Sequence, residues 1–567
     1  MLNIKQALIE DIQAGISAAQ VANALPAELT VPKIIVNHTE KSEYGDYASP
    51  IALALTKVAK KPPLEIVEII AQYMPKKEYI GKLEAAAPGF LNIRLNPGWM
   101  SARLDDVIAG NLADGLTFGQ GKSINLEFIS ANPTGPLTLA NCRTAFGADT
   151  LANVLIACGY NVTREYYIND AGAQVKKLGE SVLRRILEAQ GETVEFAEEL
   201  YQGDYIKEIA KRVAEDWKEN EGKVFTKVDL ENAEIQEKVS HQAVQILLDA
   251  IKQTIKEDLH IEFDVWTSER ALRESGVIEK ALTVLRERGQ TYKKEDAEWL
   301  KTTQYGDDQD RVLVKKDGEY AYISPDIAYH HNKYERQFDL IFTFVGADHQ
   351  GHIPKLRAAM QALGNDVSKL HLVVAQWFRL IRSGVPVKVS KRAGNIITPH
   401  DVIAEVGYDA TRFFLLQHRL DTHMDFDLDL AKEQSDRNPV YYVQYAFVRL
   451  QSILRRAKEA GVLSEVGETI QLSNDQKLTH TVELELMRVL YRWPEIMQEC
   501  AEHFTVHQLN YYALELSKVI HAFYHEVPVL NAEPEMLIKA RLQLILAART
   551  VLGKTLEVMG LNQPDVM

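Results

Sequence analysis

The residues best placed to do chemistry gather at two points of the chain. Residues 131–137, Ala-Asn-Pro-Thr-Gly-Pro-Leu, form a Pro/Gly turn between a strand pattern at 124–129 and a helical pattern at 138–157. A strand that passes through a tight turn into a helix N-terminus presents unpaired backbone N–H groups and the positive end of the helix dipole, which suit an anion. The second point is RSGVPVKVSKRAGN at 382–395, which places Lys388, Lys391 and Arg392 on a loop with Ser383, Ser390 and two glycines. Cations on such a loop suit a polyphosphate whose charge shifts during reaction. Taken singly, each has a bland alternative: a βα turn that binds nothing, and a solvated basic loop. Two familiar phosphate motifs are excluded. GQGKS at 119–123 has Leu116 where a P-loop needs glycine, and no GxGxxG follows a strand.

Other chemistry is narrowed by composition. His349 and His352 have metal-ligand spacing but no evident third ligand, and the three cysteines Cys142, Cys158 and Cys500 form no CxxC pair, so no protein-ligated metal and no disulfide framework are expected. The net charge of −15 argues against a nonspecific nucleic-acid coat. It leaves room for a specific partner at local clusters such as Lys57, Lys60 and Lys61, or Arg449, Arg455, Arg456 and Lys458. No apolar stretch is long enough to span a membrane, and the first residues lack a signal-peptide core, so a cytoplasmic protein with no membrane partner is expected.

The elements that must position these residues follow from periodicity. Ile4, Leu8, Ile12 and Ile16 repeat at helical spacing, and Leu91, Ile93 and Leu95 alternate with polar residues as in a half-buried strand. These read as a small N-terminal α+β domain over 1–100. Strand 124–129, the turn, helix 138–157 and strand 161–168 make a βαβ unit, which demands a parallel sheet. Two further strands at 340–345 and 371–375 lie beyond a charged, helix-rich insertion at about 176–265. The expected fold is multidomain α/β: a Rossmann-type parallel-sheet domain over 115–400, a connecting segment over 401–435, and an all-α bundle over 436–567 with helical runs at 440–459, 477–500, 507–525 and 534–559.

NPTGPL at 132–137, YYINDAG at 166–172, FDVWTSER at 263–270, YGDDQDRVL at 305–313, YISPDIAYH at 322–330, FVGADHQGH at 344–352 and KVSKRAGN at 388–395 stand in the order found in arginyl-tRNA synthetases. The chain resembles that class I aminoacyl-tRNA synthetase family from about Lys33 to Met567. The resemblance implies a domain touching the tRNA elbow, a catalytic domain, and a helical anticodon-binding domain. The aromatics of that bundle, Tyr441, Tyr442, Tyr445, Phe447, Tyr511, Tyr512, Phe523 and Tyr524, are of a type that can stack splayed bases, although at helical spacing aromatics are more often core. It further implies a monomer acting on ATP with Mg²⁺, L-arginine and the tRNA for arginine.

Residue by residue, the resemblance assigns ATP binding to Ala131, Asn132, Pro133, Thr134, Gly135, Pro136, Leu137, Leu139, Ala140, Asp348, His349 and Ser390. It assigns arginine binding to Glu127, Asn132, Glu269, Tyr322, Asp326 and Gln350, with Asn169 and Asp170 in support. A guanidinium is best read by carboxylates, and Tyr322 and Asp326 stand one helical turn apart, so that the ring can pack on its plane while the acid accepts its N–H groups. The family's HIGH signature is here Thr138, Leu139, Ala140 and Asn141. Both histidines are replaced by neutral donors, so catalysis is expected from Thr138, Asn141, Lys388 and Lys391. Two readings stay open: an active arginine–tRNA ligase, or a noncatalytic or regulatory tRNA-binding paralogue of the same fold. A cysteinyl-type enzyme is disfavoured by the missing zinc ligands.

Overall fold

The computed structural model describes residues 1–39, 41–113, 116, 118–387, 396–463, 478–534 and 536–567. The chain divides into two compact units: Met1–Gly119 joined with Ser435–Met567, and Gln120–Gln434.

In the first unit, helix Ile4–Val21 buries Ile4, Leu8, Ile12 and Ile16 completely, as the helical spacing predicts. Strands β1 (Asn37–His38), β2 (Tyr47–Ser49), β3 (Ile80–Ala86) and β4 (Phe90–Leu95) form an antiparallel sheet in the order β1-β2-β4-β3. The C-terminal part supplies helices Pro439–Glu459, Thr481–Tyr491, Trp493–His503, His507–Glu526 and Met536–Met559. The sequence predicts one helix over 477–500, but the chain breaks at Arg492. Pro494 sits in the first turn of the next helix, where its missing N–H costs nothing, and Trp493 is wholly buried.

One carboxylate in the first unit gathers donors from three distant segments. Glu495 Oε1 accepts from Tyr47 Oη at 2.6 Å and from the Lys5 N–H at 3.1 Å, and Oε2 lies 2.7 Å from His38 Nε2. Glu495→Ala is expected to destabilise this unit by about 2 kcal/mol, because it strands a buried phenol without an acceptor. Calorimetry of the intact chain checks this, and an unchanged transition would make Glu495 dispensable.

The second unit is built on strands β5 (Ser123–Glu127), β6 (Asn161–Ile168) and β7 (Val265–Ser268), a meander of β8 (Thr291–Lys294), β9 (Ala297–Leu300) and β10 (Arg311–Val314), then β11 (Leu340–Gly346) and β12 (Leu370–Ala375). A small sheet of β13 (Phe378–Arg382), β14 (Val385–Pro386) and β15 (Met424–Asp427) completes it. The central sheet is parallel, in the order β12-β11-β5-β6-β7. Strands β11 and β12, Leu-Ile-Phe-Thr-Phe-Val-Gly and Leu-His-Leu-Val-Val-Ala, read as apolar runs, which is why they are legible in sequence. The edge strand β7 and the meander escape that signal, being four residues each and only partly buried. Between β8 and β9, Glu295 and Asp296 both take positive φ, 54° and 57°, the two-residue hairpin turn that suits strand twist.

The insertion contains helices Ala173–Ala189, Asp204–Glu221 and Ala233–Glu257 around a core of its own that includes Leu178, Val182, Ile206, Val213 and Val239. In the parallel sheet, β5 has β6 on one side and β11 on the other. The chain therefore winds away in opposite directions from β5, and a crevice opens at the carboxyl ends of β5 and β11. Among the described residues, no helix is long and apolar enough to cross a membrane.

Candidate active site

Strand β5 ends two residues earlier than its sequence pattern over 124–129 suggests. Ile129 and Ser130 follow with φ of 65° and 39°, a left-handed conformation costly for side chains with a Cβ. That turn aims the Ser130 hydroxyl between two strands: it donates to Glu127 Oε1 at 3.0 Å and accepts the Tyr167 N–H at 3.1 Å. The next residues are held by their carbonyls. Tyr166 Oη donates to Ala131 O at 2.9 Å, and Tyr205 Oη, from the insertion, donates to Thr134 O at 2.9 Å. A Cβ on Gly135 would lie 3.3 Å from Tyr205 Oη, so glycine permits this close cover. Asn132 is exposed, with its amide on Gln174 Oε1 at 3.0 Å; Pro133 and Leu137 are buried and Pro136 is half-buried.

Helix Leu139–Ala157 then starts with Thr138 as its N-cap. Asn141 Oδ1 accepts from both the Thr138 N–H and the Thr138 hydroxyl, each at 3.0 Å. The altered signature therefore closes on itself as a helix cap. The hydroxyl proton of buried Thr138 is committed to Asn141, and Asn141 has spent its oxygen, which leaves its Nδ2 as the donor available to an incoming anion. Leu139 is buried and its N–H donates to Ile397 O at 3.0 Å, while Ala140 is exposed. Lys388, Ser390 and Lys391 lie outside the described residues. The helix is seated by buried charges further along. Arg143 donates to the carbonyls of Gln376 at 2.9 Å and Arg419 at 2.8 Å, and Asp149 accepts from Arg412 at 2.6 Å and Arg164 at 3.1 Å. Burial lowers the Arg143 guanidinium to about 10.

Glu127 lies beside Thr343 in the β5–β11 register. Its Oε2 accepts from Lys333 Nζ at 2.6 Å and from Thr343 Oγ1 at 3.2 Å. Lys333 is wholly buried, with its ammonium 4.5 Å from the Tyr329 ring centroid. It belongs to helix Ile323–Glu335, which also carries Asp326 and His330. His330 Nδ1 lies 2.9 Å from the Asp326 carbonyl oxygen and Nε2 lies 3.1 Å from Thr343 Oγ1. Burial and the neighbouring Lys333 charge lower this imidazole from 6.5 to about 3, so it is neutral at physiological pH. Below pH 6.5 the unfolded chain takes up a proton that folded His330 refuses, so the contribution of this site to stability is whole above 6.5 and declines as pH falls towards 3. Glu165, on β6, accepts from Arg336 at 2.8 Å and Thr267 at 2.6 Å. Burial opposes its charge, but Lys333 and Arg336 hold it below the usual carboxylate range.

Asp326 Oδ2 stands 2.9 Å from His352 Nε2, and Tyr322 meets the His352 ring edge-on at 6.2 Å between centroids. Tyr322 is 70% exposed, so its ring face is free to receive a planar cation. Buried Glu269 opens the short helix after β7, and its Oε1 takes two guanidinium N–H groups from Arg273, at 2.9 and 2.6 Å. Burial, with Asp326 nearby, raises the Glu269 carboxyl against the opposing pull of Arg273. Asp170 anchors the start of the same helix, accepting from Ser268 Oγ at 2.6 Å and the Arg270 N–H at 2.9 Å. Asp348, His349 and Gln350 lie exposed on the turn after β11, with His349 Nε2 3.6 Å from Asp348. The fold thus gathers Glu127, Glu269, Asp326 and Tyr322 at one crevice, with Gln350 on an exposed turn beside it. Residue type and motif give no sign of Ser130, His330 or Lys333, the last paired with a carboxylate 206 residues away, and His352, which the sequence offers only as a metal ligand, stands instead beside Asp326.

Comparison with known proteins agrees with this architecture. Residues 6–95 match the family model for the arginyl tRNA synthetase N terminal domain, residues 105–421 that for the catalytic domain of tRNA synthetases class I (R), and residues 443–567 that for the DALR anticodon binding domain. The arginine–tRNA ligase of Geobacillus kaustophilus is 39% identical over 572 residues, covering 100% of both chains. That of Bacillus subtilis is 38% identical over 568 residues, again with 100% of both covered. The Thermus thermophilus arginyl-tRNA synthetase structure superposes with a TM-score of 0.76 at 21% identity over the full length of both chains, a likeness of fold. With the full-length identity and the catalytic-domain match together, the chain belongs to the arginyl-tRNA synthetase family of class I tRNA synthetases.

Proposed function

We propose that this protein is an arginine–tRNA ligase, which joins L-arginine to ATP as arginyl-adenylate with release of pyrophosphate and then transfers the arginyl group to the terminal ribose of its tRNA. The observation that carries the reading is the crevice at the carboxyl ends of β5 and β11, where Glu127, Glu269 and Asp326 converge beside the exposed face of Tyr322. A substrate with a cationic group at each end suits such a pocket. Asp326 and Glu269 accept from the guanidinium with Tyr322 against its plane, Glu127 and Ser130 take the α-ammonium, and Asn132 and Gln350 border the site. ATP, arriving with Mg²⁺ as substrate, lies along the turn 131–137 and the helix start, with Leu139, Ala140, Asp348 and His349 against the nucleotide. Asn141 faces its phosphates, and Lys388, Ser390 and Lys391 are the residues that the family resemblance assigns to the same phosphates. The C-terminal helices hold the anticodon arm, with Tyr445 and Tyr511 exposed to receive bases, whereas Phe447, Tyr512 and Phe523 are spent in the core.

Arginine-dependent ATP–pyrophosphate exchange, run with and without tRNA, tests the activity; absence of exchange and charging under both conditions would leave a noncatalytic tRNA-binding protein. Within the signature the cap geometry separates the two neutral donors. Asn141→Ala is expected to lower the kcat of adenylate formation by about 10- to 100-fold with little change in the KM for ATP, as for a donor used mainly in the transition state. Thr138→Ala, whose hydroxyl is turned to Asn141, is expected to cost only a few-fold. Equal losses from both would mean that the pair acts through the cap alone.

A further inference from the structure

One buried polar group at the crevice is left unused. Tyr167, on β6, is 8% exposed, and its buried hydroxyl makes no hydrogen bond of ordinary geometry among the described residues, the Glu269 carboxyl being the acceptor it comes nearest to engaging. Its backbone is held from two sides, by the N–H on Ser130 Oγ at 3.1 Å and by the register with Thr267 of β7. Its ring packs on Tyr329 with centroids 4.5 Å apart at 37°. The side chain is therefore fixed, and the hydroxyl has little freedom to seek a partner elsewhere. Neighbouring Tyr166, pointing to the other face of the strand, finds the Ala131 carbonyl at 2.9 Å. A buried hydroxyl without a partner forfeits the hydration it had in the unfolded chain, so phenylalanine would serve packing better at this position. The surroundings say what the hydroxyl awaits. Burial, and then Glu269, Asp326 and Glu127 in that order, keep the phenol protonated, so it stands among three carboxylates as a neutral group able both to donate and to accept.

We infer that the Tyr167 hydroxyl is a further specificity-determining contact for the substrate guanidinium, accepting one of its N–H groups while donating its own proton to the Glu269 carboxylate. The inference rests on the arginine-binding reading of the crevice. A guanidinium has five donors, more than the free oxygens of Asp326 and of a Glu269 already shared with Arg273 conveniently supply, and a phenol oxygen between those acids provides the missing acceptor. The phenol oxygen is used as an acceptor only when the cation is present, which favours the ligand that carries N–H groups to that point over an isosteric apolar one.

Tyr167→Phe tests this with the ring and its packing retained. The expected result is a rise of about 10- to 100-fold in the KM for arginine, with the KM for ATP within twofold, and a smaller arginine-induced rise in the thermal midpoint. The midpoint without arginine should be unchanged or higher, since only an unpartnered hydroxyl is lost. An unchanged KM and arginine-induced shift would overturn the inference, and so would a fall in the arginine-free midpoint that accounts for the whole loss. Asp326→Asn run in parallel separates the two failures. If it too leaves arginine binding untouched, the arginine-binding reading has failed; if it weakens binding while Tyr167→Phe does not, only the role of Tyr167 falls.

Discussion

Asp326→Asn is expected to raise the KM for arginine by about 100- to 1000-fold in ATP–pyrophosphate exchange, while the KM for ATP stays within twofold. The substitution keeps the volume of the side chain and removes its charge. A guanidinium brought against a carboxylate forms charge-assisted hydrogen bonds, whereas an amide offers one oxygen and turns an N–H₂ group towards donors it cannot pair with. Glu269 is poorly placed to compensate, because Arg273 already donates twice to its Oε1. His352 Nε2 lies 2.9 Å from the Asp326 carboxylate, so His352→Gln is the control for the loss of that neighbour and should move the arginine KM far less. Proportional increases in both KM values would show that Asp326 supports the crevice without meeting the substrate.

Lys333→Met is expected to destabilise the unit Gln120–Gln434 by about 3–5 kcal/mol. The ammonium is wholly buried and lies 2.6 Å from Glu127 Oε2, and the carboxylate is nearly as enclosed. Removing the cation alone strands a nearly buried charge, and neither Thr343 nor Ser130, as neutral donors, replaces the lost cation. The double variant Lys333→Met with Glu127→Gln should regain most of the stability, since no uncompensated charge is left, yet its arginine KM should stay high because Glu127 is the group proposed to meet the α-ammonium. Calorimetry of the intact chain, in which the transition of this unit moves and the other does not, provides the measurement. A Lys333→Met protein as stable as the parent would mean that Glu127 simply takes up a proton when its partner leaves.

Local pattern was enough to reveal the layered plan. Apolar runs bounded by turns marked β11 and β12, because strands inside a parallel sheet need apolar side chains, and the order strand, turn, helix, strand marked β5 and β6. The amphipathic spacing of 4–16 and 440–459 marked helices for the equivalent reason. The break at Arg492–Pro494 and the edge strand β7 were not legible, since a proline is tolerated in a first turn and a half-covered edge strand has no strong apolar demand. In the crevice, residue type and motif order pointed to Glu127, Glu269, Tyr322 and Asp326. They gave no sign of Lys333, His330 or the hydroxyls of Ser130 and Tyr167.

By itself, then, the sequence determined the kinds of element, their order, the place where a parallel sheet opens towards a ligand, and the family. All of these depend on neighbours within a few residues or on motifs in line. Only the tertiary structure decided that Glu127 is neutralised by a lysine from a distant helix, that Glu165 is held by Arg336 at the end of that helix, and that residues 1–119 share a unit with 435–567. Each of these outcomes turns on whether a polar group finds its partner inside the protein or in water. Partners separated by hundreds of residues are chosen by packing in three dimensions, which no local pattern encodes.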